Sequence, residues 1–158
     1  IVNYCVENKI ENLIVGHNKQ WKDSIKLGKK TNQKFVQIPH SRLISYLKYK
    51  CELAGITFIE TEESYTSKVD HLAGEKMCHQ ENYLGKRVKR GLFQSSTGKL
   101  LNADVNGALG ILRKVVGDSQ VFFEIINSGL LFNPVKIRNM FSISSQKLEL
   151  KHAAEFKV

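Results

Sequence analysis

The sequence predicts an α/β fold built on a parallel strand–helix–strand unit. Three segments carry that expectation. Leu13-Ile14-Val15 is an unbroken apolar run ended by Gly16, which suits a buried strand. From Ser41, placed to cap a helix after Pro39, the apolar residues Leu43, Ile44, Leu47 and Cys51 form one helical stripe that stops at Gly55. Ile56-Thr57-Phe58-Ile59-Glu60-Thr61 is β-branched and reads as the second strand. Strand, helix, strand in this order makes a βαβ unit with parallel pairing.

The flanking elements follow from the same patterns. Ile1, Val2, Cys5, Val6 and Ile10 recur at helical spacing across residues 1–12. Residues 17–34 are basic with few apolar anchors and read as an extended loop, and Phe35-Val36-Gln37-Ile38 reads as an edge strand stopped by Pro39. Residues 64–102 are polar and lack periodicity, which inside a compact domain signals an insertion or a functional loop. A helix is expected from Ala103 to Val115, burying Val105, Ala108, Leu109, Leu112 and Val115. Another is expected from Gln120 to Asn127, closed by Ser128-Gly129, with a fraying tail beyond Phe141.

The 158 residues suffice for one domain with a core, but the net charge of +9 is unusual. Between His17 and Lys50, nine Lys or Arg face one acid, Asp23. A field of that density concentrates polyanions, although a lysine-rich face that is merely solvated has the same composition. Cys5, Cys51 and Cys78 are odd in number and widely spaced, so no disulfide framework is implied, and a reducing cytoplasm suits them. No apolar run is long enough for a membrane span and no signal peptide opens the chain. The chain opens on Ile1 rather than Met and reads as a fragment of something longer.

Two acids stand out as candidate metal ligands. Glu63 lies just past the second predicted strand, with Glu62 beside it, and Asp104 lies in the first turn of a predicted helix. Carboxylates so placed can converge on Mg²⁺, and two such ions about 4 Å apart activate water in phosphodiester cleavage. An Asp in a first helical turn also serves the helix dipole, and a surface Glu pair is commonly just solvated. His71, Cys78 and His79 have poor spacing for a zinc tetrahedron and read as a surface loop. Trp21, among lysines, could stack on a base or simply anchor a loop.

Taken in order, His17-Asn18-Lys19-Gln20-Trp21-Lys22, Leu27-Gly28-Lys29-Lys30-Thr31-Asn32-Gln33, Glu62 to Lys68, and Asn102 to Gly107 resemble the TnpB (OrfB) family of transposon-encoded nucleases. That family is related to type V CRISPR effectors and to Fanzor proteins, and the resemblance covers about residues 1–141. It implies an RNase H-like (RuvC) fold, cleavage of DNA directed by a guide RNA, and divalent metal, with Mg²⁺ as the expected cofactor. Of the three acids such a site needs, the resemblance places one before Ile1 and matches another to Asp104. Many relatives carry the remaining Glu where this chain has Gly16; a Fanzor-like subset carries it where this chain has Glu63, with Glu62 in reserve. Lys19, Trp21, Lys22, Lys29 and Lys30 become candidate contacts to guide RNA or target DNA.

The resemblance also implies a four-cysteine zinc ribbon, whose ligand positions fall near Asp70, Ala73, Gln94 and Thr97. None is Cys or His, so zinc is not expected. Residues 69–98 read as a degenerate ribbon held by Leu84, Val88, Leu92 and Phe93, with Gly74 and Gly98 matching the glycines after ribbon cysteines. The expected organisation is a RuvC-like portion over 1–68, the ribbon insertion over 69–98, C-terminal RuvC-like helices over 99–141, and a flexible tail over 142–158. A chain without one metal ligand and the first strands of the fold is expected not to cut on its own. A binding protein without nuclease activity is the alternative.

Overall fold

The structure is a computed structural model that describes residues 1–18 and 40–132. Helix α1 (Val2–Glu7) turns Val2 and Cys5 inward. It is shorter than the periodicity suggests, because Lys9 takes a left-handed conformation (φ 54°) and the chain folds back, Ile10 N–H donating to the Cys5 carbonyl at 2.8 Å. Strand β1 (Asn12–Gly16) pairs in parallel with β2 (Thr57–Thr61), from Asn12 opposite Thr57 to Gly16 opposite Thr61. The parallel pairing expected from the sequence is thus present. Its ladder extends one step, His17 N–H donating to the Thr61 carbonyl at 2.8 Å.

The crossover between these strands contains α2 (His40–Leu53), which buries Leu47 and Cys51. Its end is built by Gly55 at φ +68°, with Ile56 N–H reaching the Cys51 carbonyl at 2.9 Å and Gly55 N–H reaching Glu52 at 3.2 Å. Only glycine holds that left-handed position cheaply, and the Ile56–Cys51 contact completes the motif. Leu47, Cys51, Val2, Cys5 and Ile56 form one apolar cluster, against which Leu13, Val15 and Phe58 pack. Burial there pushes the Cys51 thiol above its ordinary range, with Cys5 nearby adding to the effect. Leu43, expected in the stripe, is exposed and Ile44 is only half-buried, because the cluster draws on the second half of α2.

Residues 64–102 are more ordered than their polarity suggests. After a run of turns come β3 (Lys86–Lys89), β4 (Leu92–Gln94) and β5 (Leu100–Asn102), an antiparallel sheet in the order β3-β4-β5 with an irregularity between Arg87 and Lys89. These strands are three or four residues long, too short for alternation to show in the sequence. Phe93 is buried with Leu101 and Ala103, whereas Leu84 and Val88 are exposed, so two of the four side chains expected to hold this region do not.

Helix α3 (Ala103–Val116) follows β5 directly, and Asn102 caps it by accepting from Asp104 N–H at 2.7 Å and Val105 N–H at 3.3 Å. Its buried residues are Ala103, Asn106, Leu109, Gly110 and Arg113; Ala108, expected inside, is exposed. The buried face lies against a polar turn rather than an apolar wall, which shifts it by a residue. Helix α4 (Gln120–Asn127) has the expected limits, with Ser119 as its cap and Gly129 at φ +77° beyond its end. Phe122 joins Leu109 and Leu131 in a third cluster, and Leu72 packs against both this cluster and that of Phe93. Among the described residues no helix is long and apolar enough to cross a membrane. The expected strand at Phe35–Ile38 and the tail beyond Phe141 lie outside the described residues.

Candidate functional site

The C-terminal end of β2 and the residues just after it carry a group of acids whose carboxylates have different partners. Glu60 pairs with His17 Nδ1 at 2.8 Å. Glu62 accepts from Lys114 Nζ at 2.8 Å, from Ser64 N–H at 2.8 Å and from the Ser64 hydroxyl. The Lys114 ammonium, helped by Ser64, holds the Glu62 carboxyl below the usual carboxylate range. Glu63 is half-buried, and among the described residues no cation or donor pairs with its carboxylate. A Cβ placed on Gly16 would stand 3.2 Å from Glu63 Cβ and 2.5 Å from Ile111 Cδ1. The two positions that the resemblance offers for a second acid are therefore neighbours in space.

Asp104 is exposed in the first turn of α3. The cap is made by Asn102, so the Asp104 carboxylate is not consumed by it, and it too has no ion-pair partner among the described residues. Ile111 lies on the same helical face as Asp104 two turns later, about 10 Å along the axis. The segment after Glu63 runs back along that face. Thr66 abuts Gly110 and Ser67 abuts Gly107, while Asn106 Nδ2 donates to the Val69 carbonyl at 3.0 Å. Glu63 and Asp104 thus share one face of α3 at different levels, with Ser67 between them. Among the described residues no three His, Cys, Asp or Glu side chains form a metal-ligating group.

His71, read from sequence as part of a surface loop, is instead fully buried beneath α3. Its Nε2 lies 2.8 Å from the Thr66 carbonyl, which requires Nε2 to carry the proton. Burial, then the Arg113 charge, lowers its pKa from the ordinary 6.5, against opposing effects of the Thr66 carbonyl, Asp70 and Glu75. The native state therefore stays unprotonated where the unfolded chain takes up a proton. The stabilisation is complete above about pH 7 and is lost as pH falls below about 6.5. We expect the melting temperature to drop between pH 7 and pH 5 and the drop to flatten in His71→Gln; equal slopes in the two proteins would assign it to other groups. Cys78 is half-buried, and His79 is exposed with its ring edge-on to Tyr65, centroids 6.4 Å apart.

Lys19, Trp21, Lys22, Lys29 and Lys30 lie outside the described residues. The described part has a cationic surface that the sequence reading missed. Lys86, Arg87, Lys89 and Arg90, on and just after β3, are all exposed. Lys86 and Arg87 line a cavity of about 380 Å³ with Ser67, Lys68, Tyr83 and Phe93, and the Lys68 ammonium stands 6.0 Å from the Tyr83 ring centre. The signal was available in Lys86-Arg87-Val88-Lys89-Arg90, four basic residues in five, but it falls in the stretch read as a degenerate ribbon, away from the basic segment that drew attention. Ser67 belongs both to this cavity and to the contact with Gly107, one turn from Asp104.

Residues 40–111, a little under half of the chain, match the family model of the Cas12f1-like TNB domain. The matched stretch begins with α2 and ends in α3, so it includes Glu63, the short antiparallel sheet and Asp104. It supports a relation to the nucleases of the TnpB and Cas12 type. No curated protein and no solved structure matches the chain.

Proposed function

We propose that this chain is the C-terminal part of a TnpB-type, RNA-guided DNA endonuclease of a transposon, with an RNase H-like (RuvC) nuclease fold. The family match across both acidic motifs carries the reading. Within it, Glu63 and Asp104 would each contribute a carboxylate to a Mg²⁺-binding site completed by a third acid outside the described residues. The donor chemistry fits, since both are carboxylates uncommitted to other described residues, and Glu62 is already engaged by Lys114. When bound, the metal would activate water and stabilise the leaving oxygen. The nucleic acid would be held by the lysines of residues 19–30 and by the exposed cationic strand β3. The resemblance also supplies a second reading, a nuclease-inactive binding protein, since it places Gly16 where an acid is expected in many relatives.

The test uses the intact nuclease with its guide RNA. Glu63→Gln and Asp104→Asn should each reduce cleavage by at least about 10²-fold while binding persists. Glu62→Gln should cut almost normally. Loss of cleavage in Glu62→Gln alone would move the metal to Glu62, and no cleavage by the unaltered protein would favour the binding protein. Removing Lys19, Lys22, Lys29 and Lys30 together should weaken binding to all sequences and flatten the log–log salt dependence by about 3 units. An unchanged slope would make these lysines a solvated face.

A further inference from the structure

The resemblance to ribbon-bearing nucleases implies a metal ion joining two turns, and the residues here do not fit one. The corresponding positions, Asp70, Ala73, Gln94 and Thr97, offer one carboxylate and no thiolate or imidazole. His71 is adjacent, but its Nε2 is committed to the Thr66 carbonyl. The two turns are nonetheless joined, and by a different chemistry.

The first turn runs from Asp70 to Glu75, with Gly74 at φ +70° and Glu75 N–H donating to the Asp70 carbonyl at 3.1 Å. The second runs from Ser95 to Lys99, with Gly98 at φ +83° and Ser95 N–H donating to the Lys99 carbonyl at 2.9 Å. The Asp70 side chain lies between them and is fully buried. Its Oδ2 accepts from the Ser95 hydroxyl at 2.9 Å, from Ser96 N–H at 2.7 Å and from the Ser96 hydroxyl at 2.9 Å. Its Oδ1 accepts from Ala73 N–H at 3.3 Å, within its own turn. Ser95 is fixed in turn by Thr97, their hydroxyl oxygens 2.9 Å apart. Glu75 closes the far side, accepting from Asp70 N–H at 2.6 Å and Leu84 N–H at 2.8 Å.

We infer that the buried Asp70 carboxylate, gathering donors from both turns, organises the 70–98 insertion in place of a metal ion, so that the insertion folds without metal. A buried carboxylate is tolerated only when its lone pairs are filled, and here four donors fill them, with no cation paired to it among the described residues. An amide at this position would turn its own N–H groups toward some of those donors, so charge and acceptor geometry are both required. The inference rests on contacts within the insertion and stands whether or not the intact protein cuts DNA.

The test is done on the 158-residue chain, by thermal melting and by hydrogen exchange read over residues 70–98. Treatment with EDTA and with a zinc-selective chelator should leave both measurements unchanged, and metal analysis should find no stoichiometric zinc. Asp70→Asn should lower the melting temperature by about 5 °C or more and release protection across both turns. Ser96→Ala, which removes one donor and keeps the Ser96 N–H, should give a smaller loss in the same amides. Stoichiometric zinc, chelator-dependent loss of protection, or an Asp70→Asn protein with unaltered melting and exchange would overturn the inference. Should Asp70→Asn fail to fold, unaltered exchange in Ser96→Ala would overturn it equally.

Discussion

Gly110→Ala will destabilise the chain by about 2–3 kcal/mol even though alanine is the better helix former. A Cβ at this position would stand 2.5 Å from His71 Nε2, 2.8 Å from Thr66 Cβ and 2.8 Å from the Thr66 carbonyl oxygen. The last is backbone, and it already accepts the His71 hydrogen bond. It cannot retreat without breaking that bond or lifting the turn off α3. Gly107 supplies the control. A Cβ there meets only Ser67 Cβ, at 3.9 Å, an ordinary contact. Gly107→Ala should therefore be neutral or stabilising by up to about 1 kcal/mol. Urea denaturation of both variants decides the matter, and equal midpoints would mean that the turn can move away from the helix.

The second large effect is expected at Arg113, which is buried in α3. Its Nη1 donates to the Glu75 carbonyl at 2.7 Å and its Nη2 to the Gly74 carbonyl at 3.3 Å, while Nε and Nη2 reach the Asp118 carboxylate. The guanidinium also lies 5.5 Å from the centre of the Phe122 ring. Two of these partners are backbone carbonyls of the turn that begins at Asp70. Arg113→Ala leaves them without their donor and opens space beside Phe122, costing about 3 kcal/mol. Asp118 is well exposed, and although Arg113 holds its carboxyl below the usual range, solvent screens the pair. Asp118→Ala should cost no more than about 1 kcal/mol. A loss in Asp118→Ala as large as that in Arg113→Ala would show that the ion pair, and not the turn, is what matters.

The parts of the fold visible in the sequence were those with an apolar period or a glycine stop. The β1–α2–β2 unit, α3 and α4 were of that kind, with limits within a residue or two of those observed. What remained hidden is held together by polar groups. Asp70, His71, Glu75, Asn106 and Arg113 are all buried. Nothing in a residue's identity announces that it will be buried with polar partners, some of them, as for Asn106 and Arg113, backbone carbonyls far along the chain. The three short strands were invisible for a different reason: each has three or four residues, and the sheet is closed by Phe93 and Leu101 rather than by an alternating face. At the candidate site the sequence offered Glu62 and Glu63 without distinction. The Lys114 contact, 52 residues away in sequence, is what ties up Glu62 and sets it apart from Glu63, together with the local Ser64 donors.

The apolar interior is divided in a way that bears on how the molecule opens. Among the described residues, the cluster around Cys51 shares no member with those around Phe93 and Phe122, whereas the latter two are linked through Leu72. Among the described residues, too, the two regions meet mainly where α3 crosses β1 and β2, at Ile111 and at the Lys114–Glu62 pair. Cooperativity between them rests on that narrow junction, because apolar contacts transmit unfolding only where they are continuous. Amide protection should accordingly divide into two groups, one for α1, α2 and the parallel pair, the other for the insertion with α3 and α4. The first should open while the second stays closed, exposing Cys5 and Cys51 to a thiol reagent before the molecule melts as a whole.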